Sequence, residues 1–374
     1  MKAFNENSLV NLSSSILKCF GVETFHDSIP EVDKLLKGHK KVVAVLFDGM
    51  GQNITRMHLK EDSFIRKNYV TTINSTFPPT TAAATTAFLT GKYPIETGWI
   101  AWDTYFKDYD KNVILFMSRD YNTHESLLKE GEQSIADRYF PTRKIGELIE
   151  ENKVTKSYYL MRYPITSDGP KTLFHQGRKK LNKILKENDN CFVYFYWDSP
   201  DREMHRFGID SCISRYQVHK SEKFLRKVVK DNPDTVFIFL ADHGHINYKR
   251  FDICEHEDLY SLLDKAISME KRASSFFVKR GKEVEFAELF NKYYGNYFEL
   301  LSKKEVLDLK LFGEGEPAKG VLDTFGDYIA IAIKEYGIYA SKEFTYKEHF
   351  KGHHAGGTEA ERLIDISLFN IYRV

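Results

Sequence analysis

Apolar residues fall into two patterns along this chain. The first is a set of short, continuous runs rich in β-branched and aromatic residues: Lys41–Phe47 (KVVAVLF), Cys191–Trp197 (CFVYFYW) and Thr235–Leu240 (TVFIFL). Runs of that length and composition predict strands buried on both faces, as in a parallel sheet. Val70–Ile73, Asn112–Met117 (NVILFM) and Asp365–Tyr372 are further strand candidates. The second pattern is helical. In Ser8–Phe20, Leu9, Leu12, Ile16, Leu17 and Phe20 recur at helix spacing. Pro141–Glu151, the Lys-rich Gly169–Glu187 and Ile209–Val229 predict further helices. Strands alternating with helices imply βαβ units, so the fold class expected is α/β, with a mostly parallel central sheet flanked by helices.

The texture changes over residues 246–350. Charge density rises, long apolar runs give way to short helix patterns at Glu285–Tyr293 and Lys303–Leu309, and turn chemistry appears in GEGEP at 313–317. The expectation is an inserted α+β cap subdomain without buried strands. Residues 1–245 and 351–374 then form the catalytic core.

At 374 residues the chain is long enough for such a core and its insertion. A formal net charge of +1 gives no global attraction to nucleic acid or anionic membrane, so an anionic ligand must be held by local devices. Cys19, Cys191, Cys212 and Cys254 lack CxxC spacing, which argues against a thiolate zinc site and a disulfide scaffold. No run has the length of a transmembrane helix, and the N-terminal stretch lacks the apolar core of a signal peptide. The compartment these features point to is a reducing cytoplasm.

Candidate chemistry sits where the predicted strands end. Asp48 follows the first buried run, Asp201 lies just past the second, and Asp242–His243 close the third within ADHGH. In open α/β sheets ligands bind outside the C-terminal ends of strands. Asp201 and His205 are four apart, a spacing that puts both on one face of a helix and suits a single metal ion. His353 and His354 stand in a Gly-rich loop. Each feature alone has a plain reading: a solvated i,i+4 pair, a turn aspartate, a surface His pair. The stretch Asn74–Gly91 (NSTFPPTTAAATTAFLTG) places Thr80 and Thr81 before a small-residue helix predicted over Ala82–Leu89. Either Thr is a helix N-cap, or one hydroxyl lies where helix N–H groups favour an anion and is a candidate nucleophile toward phosphate.

Together these elements resemble the alkaline phosphatase superfamily, in its type I phosphodiesterase/nucleotide pyrophosphatase-like branch. The segments that carry the resemblance are LFDGMGQN at 46–53, STFPPTTAAATTAFLTGKYPIETG at 75–98, PDREMHRFG at 200–208, LADHGH at 240–245 and KGHHAGGTEAE at 351–361. The resemblance implies an alkaline-phosphatase-like fold and two divalent metal ions, zinc first and manganese second. It implies Asp48, Thr81, Asp242 and His243 around one ion, and Asp201, His205 and His354 around the other. Thr81, nine residues before Thr90 of the TG turn, is the implied nucleophile, forming a phospho-threonine that water then hydrolyses. His354 rather than His353 directly precedes the small-residue loop, as the family's ligand does. One departure is Ala84, where nucleotide pyrophosphatases carry an Asn that holds phosphoryl oxygens.

The expected activity is hydrolysis of phosphodiester or nucleotide pyrophosphate bonds in a small-molecule phosphate ester or nucleotide. A phosphomonoester or phosphonate hydrolase of the same superfamily is the first rival. A catalytically idle, metal-containing binding module is the rival from another class. Neither nucleic-acid binding nor membrane association is expected, and Trp99, Trp102, Asp103 and Tyr105 are either lining for a leaving-group pocket or core packing.

Overall fold

The computed structural model describes residues 6–151, 155–161, 174–343 and 350–371. The central sheet has six strands, in the order Tyr69–Asn74, Leu363–Phe369, Val236–Leu240, Lys41–Phe47, Cys191–Trp197, Lys156–Met161. Lys41–Phe47 pairs in parallel with Cys191–Trp197 on one side and Val236–Leu240 on the other. Leu363–Phe369 runs antiparallel to both its neighbours, so the sheet is mixed. The three central runs are buried along nearly their whole length, which is why their sequences show no polar alternation. Helices pack on the sheet, and the main apolar core gathers Leu12, Ile16, Phe47, Phe192, Phe224 and Phe239 among others.

Most predicted elements are present, with shifted ends. The first helix spans Leu9–Cys19, the helix after the Pro-Pro pair spans Thr81–Thr90, and the long helix spans Cys212–Asp231 with Ser211 accepting the cap bond from the Ser214 N–H. The helix expected from Pro141 begins only at Ile145. The helix expected from Gly169 is seen from Phe174 to Glu187, and its first residues lie outside those described. NVILFM is not a central strand. Lys111–Ile114 instead joins Asp103–Phe106 and Arg119–Asp120 in a separate antiparallel sheet. Its apolar residues Val113 and Leu115 are buried in a second cluster, away from the main core. The sixth central strand is Lys156–Met161, whose mixed polar pattern carries no buried-strand signal.

Residues 246–350 also depart from expectation. They contain an antiparallel sheet, in the order Ser268–Glu270, Ala273–Phe276, Tyr328–Ala332, Phe298–Ser302, and its first two strands are wholly buried. Small and polar residues such as Ser268, Ala273, Ser274 and Ser275 fill those strands, so hydropathy does not mark them. Phe276, Phe286 and Phe290 build an apolar cluster within the segment. Met269, Ala273 and Leu301 share another cluster with Tyr93, Ile95 and Phe140. Among the described residues no helix is long and apolar enough to cross a membrane.

Candidate metal centre and nucleophile

Sheet register assembles the site. Leu46 pairs with Leu240, so the residues two positions further on, Asp48 and Asp242, leave the sheet side by side. The Asp48 N–H donates to Trp197 O at 3.0 Å, and the Asp201 N–H donates to Asp48 O at 3.1 Å. The strand ends are thereby tied together before any side chain is considered. Gly49, at φ +69°, lets them close: a Cβ there would meet Asp201 Cβ and Met204 Cε at 2.9 Å.

Asp201 opens a helix, Asp201–Phe207, that presents His205 one turn on; His205 Nε2 is 3.3 Å from Asp201 Oδ2. Thr81 begins its own helix, and its Oγ1 lies 3.4 and 3.5 Å from the two Asp48 oxygens and 3.3 Å from His243 Nε2. His243 Nε2 is also 3.4 Å from Asp48 Oδ1 and 3.6 Å from Asp242 Oδ2. His354 Nε2 lies 3.8 Å from Asp201 Oδ1, and its ring stacks on that of His243 at 3.8 Å between centroids. Thus Asp48, Thr81, Asp201, His205, Asp242, His243 and His354 are brought to one edge of the sheet.

Backbone carbonyls fix the imidazoles. Nδ1 of His205, His243 and His354 faces Gly352 O, Gly244 O and Pro79 O at 3.0, 2.9 and 3.0 Å. With Nδ1–H donating there, each ring turns an Nε2 lone pair into the site, the arrangement second-layer partners give to metal-ligating histidines. His353 is different. Its Nδ1 accepts the His354 N–H at 2.9 Å, and its ring packs on Tyr248 and Phe350.

The electrostatics leave a charge to be balanced. Burial, then the nearby Asp242 and Asp201, pushes the Asp48 carboxyl well above its usual range, although Tyr196 donates a hydrogen bond to Asp48 Oδ2. Burial also raises Asp242. For Asp201 burial acts upward, but His205, His245 and His243 together hold the carboxyl below its usual range. Asp201 Oδ1 and Asp242 Oδ2 are buried without a hydrogen-bond partner among the described residues. Buried, unpartnered carboxylate oxygens beside inward-facing imidazole nitrogens form a donor set that fits Zn²⁺ or Mn²⁺.

Two ligand groups stand out by distance. In each, the ligand atoms lie within 4.8 Å of one another: Asp201, His205, His245 and His354 in one, Asp48, Asp201 and His243 in the other. Asp201 therefore reaches both. His245 is absent from the set expected from sequence. Its side chain is fully buried, Nε2 is 3.2 Å from Asp201 Oδ1, and neither ring nitrogen makes a hydrogen bond among the described residues. The second His of ADHGH was its only sequence signal. Tyr196 and Glu270, which bonds Thr80, carried none. Ala84 is part of the main apolar core. Trp99 and Trp102 pack against Phe116, with centroids 4.9 and 5.9 Å apart.

Among solved structures, murine ectonucleotide pyrophosphatase / phosphodiesterase 5 is similar at TM-score 0.64 and 17% identity, with 87% of each chain covered. An inactive variant of that murine protein in complex with AMP matches at TM-score 0.64 and 17% identity over 88% of each chain. The human protein of the same name matches at TM-score 0.63 and 16% identity, over 88% of this chain and 87% of that one. At such identities the likeness is one of fold. No curated protein matches the sequence. The family model for type I phosphodiesterase / nucleotide pyrophosphatase matches residues 42–354, from the first central strand to the His loop. The chain belongs to this family of metal-dependent hydrolases and is a phosphoric ester hydrolase.

Proposed function

We propose that this enzyme cleaves phosphodiester or nucleotide pyrophosphate bonds by way of a phospho-Thr81 intermediate. The observation that carries the reading is the position of Thr81 Oγ1, at a helix start and within 3.5 Å of both Asp48 and His243. Asp48, Thr81, Asp242 and His243 would hold one divalent ion, and Asp201, His205, His354 and the additional His245 the other. When bound, two such ions supply positive charge to the phosphoryl oxygens and favour the ionised hydroxyl.

The chain's own groups do the rest. Asp48 and His243 fix the Thr81 hydroxyl in the direction of attack. Thr81 Oγ forms the bond to phosphorus as the bond to the leaving alcohol or nucleoside phosphate breaks, and that leaving group takes up a proton. Water then cleaves the phosphothreonine ester, releasing the phosphoryl product and restoring the hydroxyl. The Ala82 N–H, in the first turn of the helix, is a donor for a phosphoryl oxygen. A nucleotide substrate is supported by the AMP bound to the murine neighbour. A diester is favoured over a monoester dianion because the buried cation Arg272 is tied to Glu361 and adds no charge at the phosphate.

Hydrolysis of bis-p-nitrophenyl phosphate and p-nitrophenyl phosphate tests the reading. The diester is expected to turn over faster, and Thr81→Ala to lose about 10³-fold or more in kcat with its metals retained. Faster turnover of the monoester overturns the diester assignment. Unchanged hydrolysis by Thr81→Ala overturns the nucleophile.

A further inference from the structure

Thr80 precedes the nucleophile and occupies the N-cap of the Thr81–Thr90 helix in extended conformation, yet its side chain makes no cap bond. Thr is a residue that ordinarily caps its own helix, accepting from the N–H two or three positions on. Here the hydroxyl donates instead to Glu270 Oε1 at 2.6 Å, across 190 residues of chain. The same oxygen accepts the Trp102 N–H at 2.9 Å. Glu270 is 7% exposed and ends the buried strand Ser268–Glu270 of the inserted segment. The backbone is bent to deliver it: Met269 sits at φ +76°, a region unfavourable for a bulky side chain, and its N–H donates to Asp103 Oδ2 at 3.1 Å.

We infer that Glu270 is a positioning residue for the nucleophile: it draws the Thr80 hydroxyl off the helix N-terminus, locks the Thr80–Thr81 turn, and leaves the first-turn N–H groups open to the phosphoryl oxygens. This deepens the reading of Thr81 as nucleophile and rests on it. It gives the inserted segment a direct part in the hydrolytic centre. It also bears on how the site orients phosphoryl oxygens with Ala84 where related enzymes carry Asn. The first turn of the helix supplies donors, and Glu270 keeps Thr80 from consuming one.

The test compares Glu270→Ala, Glu270→Gln, Thr80→Val and the Glu270→Ala/Thr80→Val pair, each checked for metal content and melting temperature. A misplaced nucleophile is expected to lower kcat by about 10- to 100-fold in Glu270→Ala and in Thr80→Val, with KM little changed. The double variant should be no worse than the weaker single one, because both break one contact. Glu270→Gln keeps an acceptor for Thr80 and Trp102 and should stay near wild type. Losses that multiply in the double variant, a kcat within twofold of wild type, or a Gln variant as poor as Ala each overturn the inference. Thr80→Val leaves Glu270 in place and carries the test if Glu270→Ala fails to fold. Amide hydrogen exchange reads the same contact without turnover. In Glu270→Ala the freed Thr80 hydroxyl returns to cap Ala82 or Ala83 and slows that N–H, and in the double variant it cannot. Unchanged exchange at Ala82 and Ala83 overturns the inference even if the hydrolase reading itself fails, which a wild type inactive on both phosphate esters would indicate.

Discussion

Removing the Arg272 guanidinium should cost this protein a large part of its stability, and the structure says why. Arg272 and Glu361 are both fully buried, the first within residues 246–350 and the second beyond the His loop. Arg272 Nε donates to Glu361 Oε1 at 2.7 Å and Nη2 to Oε2 at 2.8 Å, while Nη1 donates to the carbonyls of Lys334 and Tyr336. Glu361 also accepts the Gly356 N–H at 2.7 Å and the Thr358 hydroxyl at 2.6 Å, which braces the loop that follows His354. Arg272→Met keeps most of the volume but leaves a carboxylate buried without its counter-charge. Breaking a buried pair in this way costs about 3–5 kcal/mol, a substantial share of a typical folding free energy of roughly 5–15 kcal/mol. At about 1.3 °C per kcal/mol for a chain of this length, the melting temperature should fall by roughly 4–6 °C at neutral pH.

The pH dependence has a definite sign. Burial acts to raise the Glu361 carboxyl, but Arg272, Thr358 and the Gly356 N–H outweigh it and hold the group below its usual range. A depressed carboxyl contributes stability that is present above its unfolded value, about 4.3, and is lost as pH falls through the folded one. Without Arg272 that contribution disappears and burial favours the protonated acid. The gap between wild type and Arg272→Met should therefore be widest near neutrality and narrow as pH falls toward the unfolded value. Adding Glu361→Gln to Arg272→Met removes the stranded charge yet keeps an acceptor for Gly356 and Thr358, so the double variant should be more stable than Arg272→Met alone. Urea denaturation of the three proteins across pH measures this. A loss below about 1 kcal/mol in Arg272→Met, the size of an exposed pair, or a double variant no more stable than the single one, refutes the argument.

Two further outcomes concern the metal centre. His245→Ala should weaken metal retention about 10- to 100-fold, read by elemental analysis after dialysis against graded chelator; wild-type retention would remove His245 from the centre. Gly352→Ala places a Cβ 2.7 Å from Met204 O and within 2.9 Å of the His245 ring. Because a backbone oxygen cannot swing aside, we expect a loss of about 1–3 kcal/mol in stability together with lower metal content, and a wild-type melting curve would contradict it.

The legible part of the site was the part written in local sequence. Asp201 and His205 share a helix turn, Asp242 and His243 are neighbours, and each follows a run of residues whose burial on both faces leaves no polar alternation. Hydropathy therefore marked the three central strands and, with them, the edge on which their terminal residues stand. The same measure failed over Ser268–Phe276, where small and polar residues form fully buried strands, and at NVILFM, whose apolar side chains serve a different cluster. It failed at Lys156–Met161 as well, a sheet-edge strand with a mixed pattern. For Thr80 the local sequence offers a helix cap, the ordinary role of a Thr at that position. Its actual partner is 190 residues away.

The sequence by itself determined the three central buried strands and the residue types at their ends, because each depends on neighbours within a few positions, and it singled out Thr81 through the family resemblance. Only the tertiary structure decided that Asp201 reaches both ligand groups, that His245 joins one of them, and that His354 rather than His353 turns an Nε2 inward. It also brought Glu270, 190 residues further along the chain, onto the turn before Thr81. Those outcomes depend on register between strands and on which buried polar atoms are left to satisfy one another, and neither is encoded in any single stretch of chain.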